Sequence, residues 1–268
     1  MLVNFSLHRA GFDPVRIAVG DNLVQKPFAT DLMKLNKSFF IKRSGETRRE
    51  VYNALLESSQ YINDSISAGH SVWIAQGGGR AKDGVDLTDP AVLKMLTLGT
   101  GKRDFGEAID SLSIVPVSLS YEFDPCDTLK ARELAAVASD GHYEKQPGED
   151  LKNLARGLTG FKGRVRLVFG NVLEGTFASS NEVAAAVDRT ILQNLELYPI
   201  NFAAVRELAS NEPESGYAAL DVPPVDDGGE LRRRCEACDP GTAVFLRRMY
   251  ANPVLTRYRY GIPPESCR

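Results

Sequence analysis

The chain has 268 residues, of which 43% are hydrophobic, and a net charge of −3. This length allows a substantial core in one large domain, or in one domain with a tail, and the small charge gives no general reason to expect nucleic acid as a partner. No run approaches the ~18 apolar residues that span a bilayer, the first residues lack the layout of a signal peptide, and four cysteines do not make a disulfide framework. We therefore expect a cytoplasmic protein, with the inner face of the membrane as an alternative, peripheral location.

The first eleven residues fit either a short strand or the end of a helix. The helical alternative puts Leu2 and Phe5 on one face, His8 and Arg9 in the last turn, and Gly11 just after it. Cations near a helix C-terminus and a glycine at its end are the expected chemistry there.

Hydrophobic patterning then predicts strands separated by helices. The longest predicted helix spans 46–68, where apolar residues keep to one face, and Gly69 ends it. The predicted strands are 15–20, 38–43, 71–75, 114–121 and 164–169. The other predicted helices lie within 27–35, at 90–98, 105–112, 127–139 and 149–158, and after a capping box of Ser179 with Glu182. This alternation predicts an α/β domain with a mainly parallel or mixed sheet flanked by helices.

Composition divides the chain into three parts. We predict an α/β domain over 1–209, a linker over 210–230 that is rich in Pro, Gly, Ser and acidic residues, and a basic helical tail over 231–268. The tail contains eight arginines and three carboxylates. The simplest explanation is a solvated face that pairs with acidic groups of the same protein. Contact with anionic lipid headgroups, or with RNA through arginine and tyrosine, is the alternative.

A glycine-rich segment lies at 76–84, where the sequence is Gln-Gly-Gly-Gly-Arg-Ala-Lys-Asp-Gly. Consecutive glycines let the backbone take positive φ and come close to a ligand. Arg80 and Lys82 add two cations, a combination that suits a phosphate. The spacing matches neither a Walker loop nor a dinucleotide fingerprint, because no Gly-Lys-Ser/Thr follows and no helix begins directly after the glycines. A flexible turn is the alternative.

Two further segments accompany the glycine-rich one, Phe40-Ile41-Lys42-Arg43 before it and Ile114-Val115-Pro116-Val117-Ser118 after it. In this order and spacing, the three segments resemble blocks of the phospholipid/glycerol acyltransferase family, and the neighbouring sequence looks like a bacterial branch of it. The resemblance covers about 15–199. It implies transfer of a fatty acyl group from acyl-CoA or acyl carrier protein to glycerol 3-phosphate or its 1-acyl form, without a cofactor.

The resemblance also implies roles for individual residues. Arg43 and Arg80 match the residues that hold the phosphate of the acyl acceptor, and two arginines do offer bidentate, permanently charged donors for a dianion. Two solvated surface arginines are the alternative. The phosphate-binding set is completed by Gly78, Gly79 and Lys82. The residues that would shape the site are Phe40, Ile41, Val115 and Pro116.

The family's catalytic base is a His oriented by an Asp five residues further on, and it takes the proton of the acceptor hydroxyl. His8 and Asp13 are the literal match, but only Pro14 separates Asp13 from the strand predicted to begin at Val15. A parallel crossover takes about a dozen residues. We therefore expect His8 and Asp13 to be a coincidental match, with the true block upstream of Met1.

The third block departs from the family, because Gly77 stands where the family has a Glu, and Gln76 before it carries no charge. The leading hypothesis is an acyltransferase of glycerophospholipid synthesis. The alternative is a catalytically impaired relative that binds lipid or acyl-CoA. In both cases the partners are an acyl donor and a phosphorylated glycerol acceptor, with a membrane surface as a further partner.

Cys235 and Cys238 have the spacing of half a zinc site. A structural zinc needs four ligands, whereas Cys126 and Cys267 are isolated and the histidines lie far off in sequence. We expect no metal, and instead two small residues on a helix over 230–250.

Overall fold

The computed structural model describes residues 2–20, 31, 34–41, 45–77, 81–227 and 229–263. The described residues form ten helices and five strands, so the protein is mixed α/β. In chain order the elements are α1 (Leu2–Arg9), β1 (Arg16–Gly20), β2 (Ser38–Ile41), α2 (Arg48–Ser67), β3 (Val72–Trp73), α3 (Pro90–Thr97), α4 (Phe105–Ser111), β4 (Val117–Tyr121), α5 (Asp127–Asp140), α6 (Glu149–Thr159), β5 (Val165–Phe169), α7 (Ser180–Asn194), α8 (Pro199–Asn211), α9 (Glu230–Glu236) and α10 (Pro240–Arg259).

The chain divides into two compact units. Unit 1 comprises Met1–Gly79, Leu87–Pro116 and Asn171–Asp188, and unit 2 comprises Arg80–Asp86, Val117–Gly170 and Arg189–Arg268.

Unit 1 contains a three-stranded parallel sheet in the order β2-β1-β3. In its register Gly20 lies opposite Ile41, and Ile17 lies opposite Trp73. The central strand is therefore the first in sequence, and the second and third strands pair with its two sides.

The helix predicted over 46–68 is confirmed as α2. The side chain of Thr47 accepts a hydrogen bond from the backbone N–H of Glu50 at 3.2 Å, which satisfies one of the free donors of the first turn. Ile62 is 2% exposed on the inner face, and Gly69 follows the helix with a φ of +83°. The cap, the periodicity and the stop are all local signals, so sequence patterning finds this helix.

Unit 2 contains the antiparallel pair β4–β5, in which Val117 lies opposite Phe169 and Tyr121 lies opposite Val165. Its core forms where α10 packs on α8 and α5. The segment predicted as a linker contributes Tyr217 and Leu220 to this core. The core also takes much of its apolar surface from the basic tail, namely Leu231, Cys235, Ala243, Leu246, Met249, Tyr250, Ala251, Val254 and Leu255.

The helix predicted over 230–250 is two helices, and this part of the prediction is wrong. Asp239 caps α10 by accepting a hydrogen bond from the N–H of Thr242 at 2.9 Å, and Pro240 occupies the first turn. Proline has no N–H to continue a preceding helix, so the chain breaks here and begins again. The new helix then runs on to Arg259.

Other boundaries differ from the sequence prediction. The strand predicted over 71–75 is only β3, and the strand predicted over 114–121 begins at Val117, after a proline that cannot donate to a sheet. The helix α8 was not predicted at all. The predicted helix within 27–35 lies largely outside the described residues.

Candidate functional site

The carboxyl edge of the parallel sheet is the natural place for a ligand site. All three strands run the same way, so the carboxyl ends of β2 and β3 lie at the edge where β1 also ends. The chain pairs first with one side of β1 and then with the other, which makes a topological switch point. Ligands of open α/β sheets bind in the crevice outside the strand ends at such a point.

Four of the predicted phosphate-binding residues, Arg43, Gly78, Gly79 and Arg80, lie outside the described residues. Phe40 and Ile41 are the last two residues of β2, and Ile41 is 1% exposed. Arg43 therefore follows this buried strand end by two residues.

Val115 and Pro116, the other two residues predicted to shape the site, lie in unit 1 just before β4. Val115 is exposed and Pro116 is buried. The carbonyl of Ile114 accepts a hydrogen bond from the N–H of Leu173 at 2.7 Å, which holds this segment in place.

In unit 1, the start of the glycine-rich segment is tied to the return of the chain towards α3. The carbonyl oxygen of Gln76 accepts a hydrogen bond from the N–H of Asp89 at 2.8 Å. Next to it, Thr88 donates both its backbone N–H and its hydroxyl to Asp188 Oδ1, at 2.8 and 2.6 Å. Thr88 and Asp188 are both buried, and hydrogen bonds to a buried carboxylate are strong. Asp188 thus fixes the loop at Thr88. It was not predicted as a site residue, because its position directly after the apolar Val187 gives no local signal of this contact.

In unit 2, the end of the glycine-rich segment is held by side chains. Lys82 Nζ forms an ion pair with Glu133 at 2.5 Å, and both side chains are half-buried. The carbonyl of Asp83 accepts a hydrogen bond from Asn252 Nδ2 at 2.7 Å, and Asn252 Oδ1 in turn accepts one from the Tyr217 hydroxyl at 2.6 Å. Lys82 was predicted to bind phosphate, but here its charge is matched by a carboxylate.

Gly84 packs closely against α10. It has a φ of +80°, and a Cβ on it would lie 2.1 Å from the carbonyl oxygen of Met249. That carbonyl lacks its usual helical donor because residue 253, four positions on, is a proline. The backbone of residue 84 therefore packs directly on the helix, where no side chain fits.

His8 and Asp13 are both exposed. His8 lies in the last turn of α1, and Asp13 lies in the connection to β1, which contains no helix. The residue that fixes this connection is Asn4, which the sequence analysis did not single out. Its Oδ1 accepts the N–H of Val15 at 3.0 Å and its Nδ2 donates to the Val15 carbonyl at 3.3 Å.

A buried charge cluster lies where β4 leads into α5. Asp127 is 1% exposed, and its Oδ2 accepts hydrogen bonds from the Tyr250 hydroxyl, at 2.7 Å, and from the Arg234 guanidinium. The same guanidinium lies 4.8 Å from the ring centroid of Phe123. Burial, and secondly the Asp127 carboxylate, raise the pKa of Tyr250 well above its ordinary value. These contacts join α5, α9 and α10, so their role is to stabilise unit 2.

Cys235 and Cys238 lack the lowered pKa of a reactive thiol. Cys235 and Cys238 line a cavity of about 350 Å³ together with Arg247. Burial raises the pKa of the Cys235 thiol to about 11, and a protonated thiol is a poor nucleophile and metal ligand. Arg247 already forms an ion pair with Glu207 at 2.6 Å.

No model of a known protein family matches the chain, and no curated protein matches it. Within the part of the chain that the structure describes, no helix combines the length and the apolar composition needed to cross a membrane. Among the same residues, no three or more His, Cys, Asp or Glu side chains are grouped as a metal ion would require.

Proposed function

We propose that the chain is an acyltransferase of glycerophospholipid synthesis. It would move a fatty acyl group from acyl-CoA or acyl carrier protein to glycerol 3-phosphate or 1-acylglycerol 3-phosphate, in the cytoplasm or peripherally at the inner face of the membrane. The observation that carries the proposal is the parallel order β2-β1-β3, with Arg43 two positions after the end of β2 in sequence and the glycine-rich segment beginning three positions after the end of β3. The mixed α/β fold agrees with an acyltransferase-like domain of this family.

The register of the sheet supports a common phosphate site. Trp73 is level with Ile17, whereas Ile41 is level with Gly20, three residues further along β1. At a rise of about 3.3 Å per residue, an extended chain after Trp73 needs three residues to come level with Ile41, and this brings it to Gln76. In sequence, Arg43 follows Ile41 by two positions, and Gly78 follows Gln76 by two positions.

The chemistry needs a dianion site and a base. Arg43 and Arg80 would hold the acceptor phosphate through charge-assisted hydrogen bonds. The acceptor hydroxyl attacks the thioester carbonyl, so that a C–O bond forms and the C–S bond breaks. A base takes the hydroxyl proton, which then passes to the leaving thiolate. Most of the rate would come from holding the two substrates together.

The proposal assigns no residue to the base, because the sequence match of His8 and Asp13 is expected to be coincidental. The absence of the Glu at Gly77 favours the second candidate function, a relative that binds lipid or acyl-CoA without turnover. The two functions differ in one observable, which is release of free thiol from the donor in the presence of the acceptor.

The test is acyl transfer from labelled acyl-CoA to both acceptors by the purified chain. We expect Arg80→Gln to lower kcat/KM on the order of a hundredfold, because it removes charged donors from the phosphate. Arg103→Gln is the matched control, since Arg103 is an exposed arginine elsewhere in the chain. His8→Ala in the same assay decides whether His8 is the base. Acceptor binding without thiol release would support the second function, and neither binding nor release would refute both.

A further inference from the structure

Helix α6 exposes the face that an amphipathic helix normally buries. Leu151, Leu154 and Leu158 are 46%, 41% and 47% exposed, and Phe161, just after the helix, is 73% exposed. Spacings of three and four residues put the three leucines on one face. Asn153, in contrast, is a polar residue that is buried. We call this set of four exposed apolar residues the α6 stripe.

The stripe lies in a strongly basic part of the chain. Residues 149–166 contain five cations and two carboxylates, and these carboxylates, in the first turn of α6, bind Tyr143 (Glu149) and Lys145 (Asp150). Arg164 and Arg166 form ion pairs with acidic residues outside this stretch. The other three cations, Lys152, Arg156 and Lys162, form no ion pair among the described residues. Arg156 donates to the carbonyl of Pro125, and Lys162 donates to the carbonyls of Leu158 and Gly160. The exposed apolar face is therefore accompanied by positive charge that described carboxylates do not neutralise.

The arginines of the C-terminal tail offer less unpaired positive charge than the residues around the α6 stripe. Arg234 pairs with the buried Asp127, and Arg247 and Arg248 pair with carboxylates of α8 and the residue after it. These three arginines therefore pair with carboxylates inside unit 2.

We propose that α6 and Phe161 lie in the interface of an anionic lipid bilayer. The α6 stripe would enter the boundary between headgroups and acyl chains, while Lys152, Arg156 and Lys162 contact lipid phosphates. An apolar face flanked by lysine and arginine is what such an interfacial helix requires. This inference goes beyond the proposed reaction and does not depend on it, because adsorption needs no acyl transfer.

The test is flotation of the full chain with vesicles, without acyl donor or acceptor. One set contains equal parts of phosphatidylcholine and phosphatidylglycerol, and the other contains phosphatidylcholine alone. We expect L154S/L158S to weaken binding by about tenfold per leucine. K152Q/K162Q should weaken it by about fivefold per charge and reduce the preference for phosphatidylglycerol.

Matched controls come from exposed residues elsewhere. Val137 is 45% exposed on α5, so V137S removes a comparable apolar group without touching the stripe. Lys102 and Arg103 are exposed cations, so K102Q/R103Q removes the same charge as K152Q/K162Q. Both controls should bind vesicles as the unchanged chain does, and circular dichroism should give the same helix content for every variant.

Two outcomes would overturn the proposal. The first is failure of the unchanged chain to float with anionic vesicles. The second is a dimer that L154S/L158S converts to a monomer, since the stripe would then be covered by a second copy. The flotation assay contains no acyl donor or acceptor, so it measures vesicle binding whether or not the chain transfers acyl groups.

Discussion

Replacing Gly84 by alanine tests whether the glycine-rich segment is fixed by close packing on α10. A φ of +80° costs a residue with a Cβ about 1–2 kcal/mol. The new Cβ would lie 2.1 Å from the Met249 carbonyl oxygen, which is backbone and moves only if the helix moves. Overpacking of this kind costs a further ~1–3 kcal/mol. We therefore expect Gly84→Ala to lower the free energy of unfolding by about 2–5 kcal/mol.

The matched control is Gly141→Ala in the same unit. Gly141 has a φ of +78°, and nothing lies within 4 Å of the position of its Cβ, so this change carries the backbone cost alone. Guanidinium denaturation followed by circular dichroism measures both losses. Equal losses would refute the reasoning, because the approach of Gly84 to Met249 would then contribute nothing.

Two further predictions concern buried polar groups, one in each unit. Asp188→Ala removes the acceptor of both hydrogen bonds from Thr88, and we expect thermal denaturation to show a loss of about 3 kcal/mol in the free energy of unfolding. Asp110 is exposed, so Asp110→Ala should change this free energy by no more than about 0.5 kcal/mol. Equal losses in the two variants would contradict the role of Asp188 in holding Thr88. Tyr250→Phe removes the hydroxyl that donates to Asp127, and urea denaturation should show a loss of about 1–3 kcal/mol. Because the folded pKa of Tyr250 is raised, the stability linked to its protonated form is full below the ordinary tyrosine pKa of about 10 and is lost as pH rises from there through the folded value. Tyr250→Phe should remove that alkaline loss, and an unchanged alkaline profile would contradict this assignment.

Local signals explain which elements the sequence predicts. The strands β1 and β2 follow from short apolar runs. The helix α2 follows from apolar periodicity and a terminal glycine, which are signals within the helix or directly after it. The break before Pro240 is marked in the sequence by Asp239 and Pro240, residue types that are common at the start of a helix. Helix α8 begins with Pro199, and a proline at the first helical position is the local signal that could have predicted this helix.

The contacts that fix the candidate site could not be predicted in this way. Thr88 and Asp188 lie 100 residues apart in sequence, and the contact of Gly84 with Met249 spans a still longer separation. Such pairings depend on how the elements pack, and no periodicity or local motif records them. The sequence predicts that the segment containing Gly84 is a phosphate-binding loop or a flexible turn, whereas in the structure Gly84 contacts the backbone of α10.

The central proposal is that Arg43 and Arg80 hold the phosphate of the acyl acceptor. The most direct measurement is kcat/KM for acyl transfer to glycerol 3-phosphate and to glycerol, which lacks the phosphate. We expect a preference for the phosphorylated acceptor on the order of a thousandfold, which Arg43→Gln and Arg80→Gln each reduce on the order of a hundredfold without changing transfer to glycerol. If both variants keep the full preference for glycerol 3-phosphate, these arginines do not bind the phosphate and the claim is wrong.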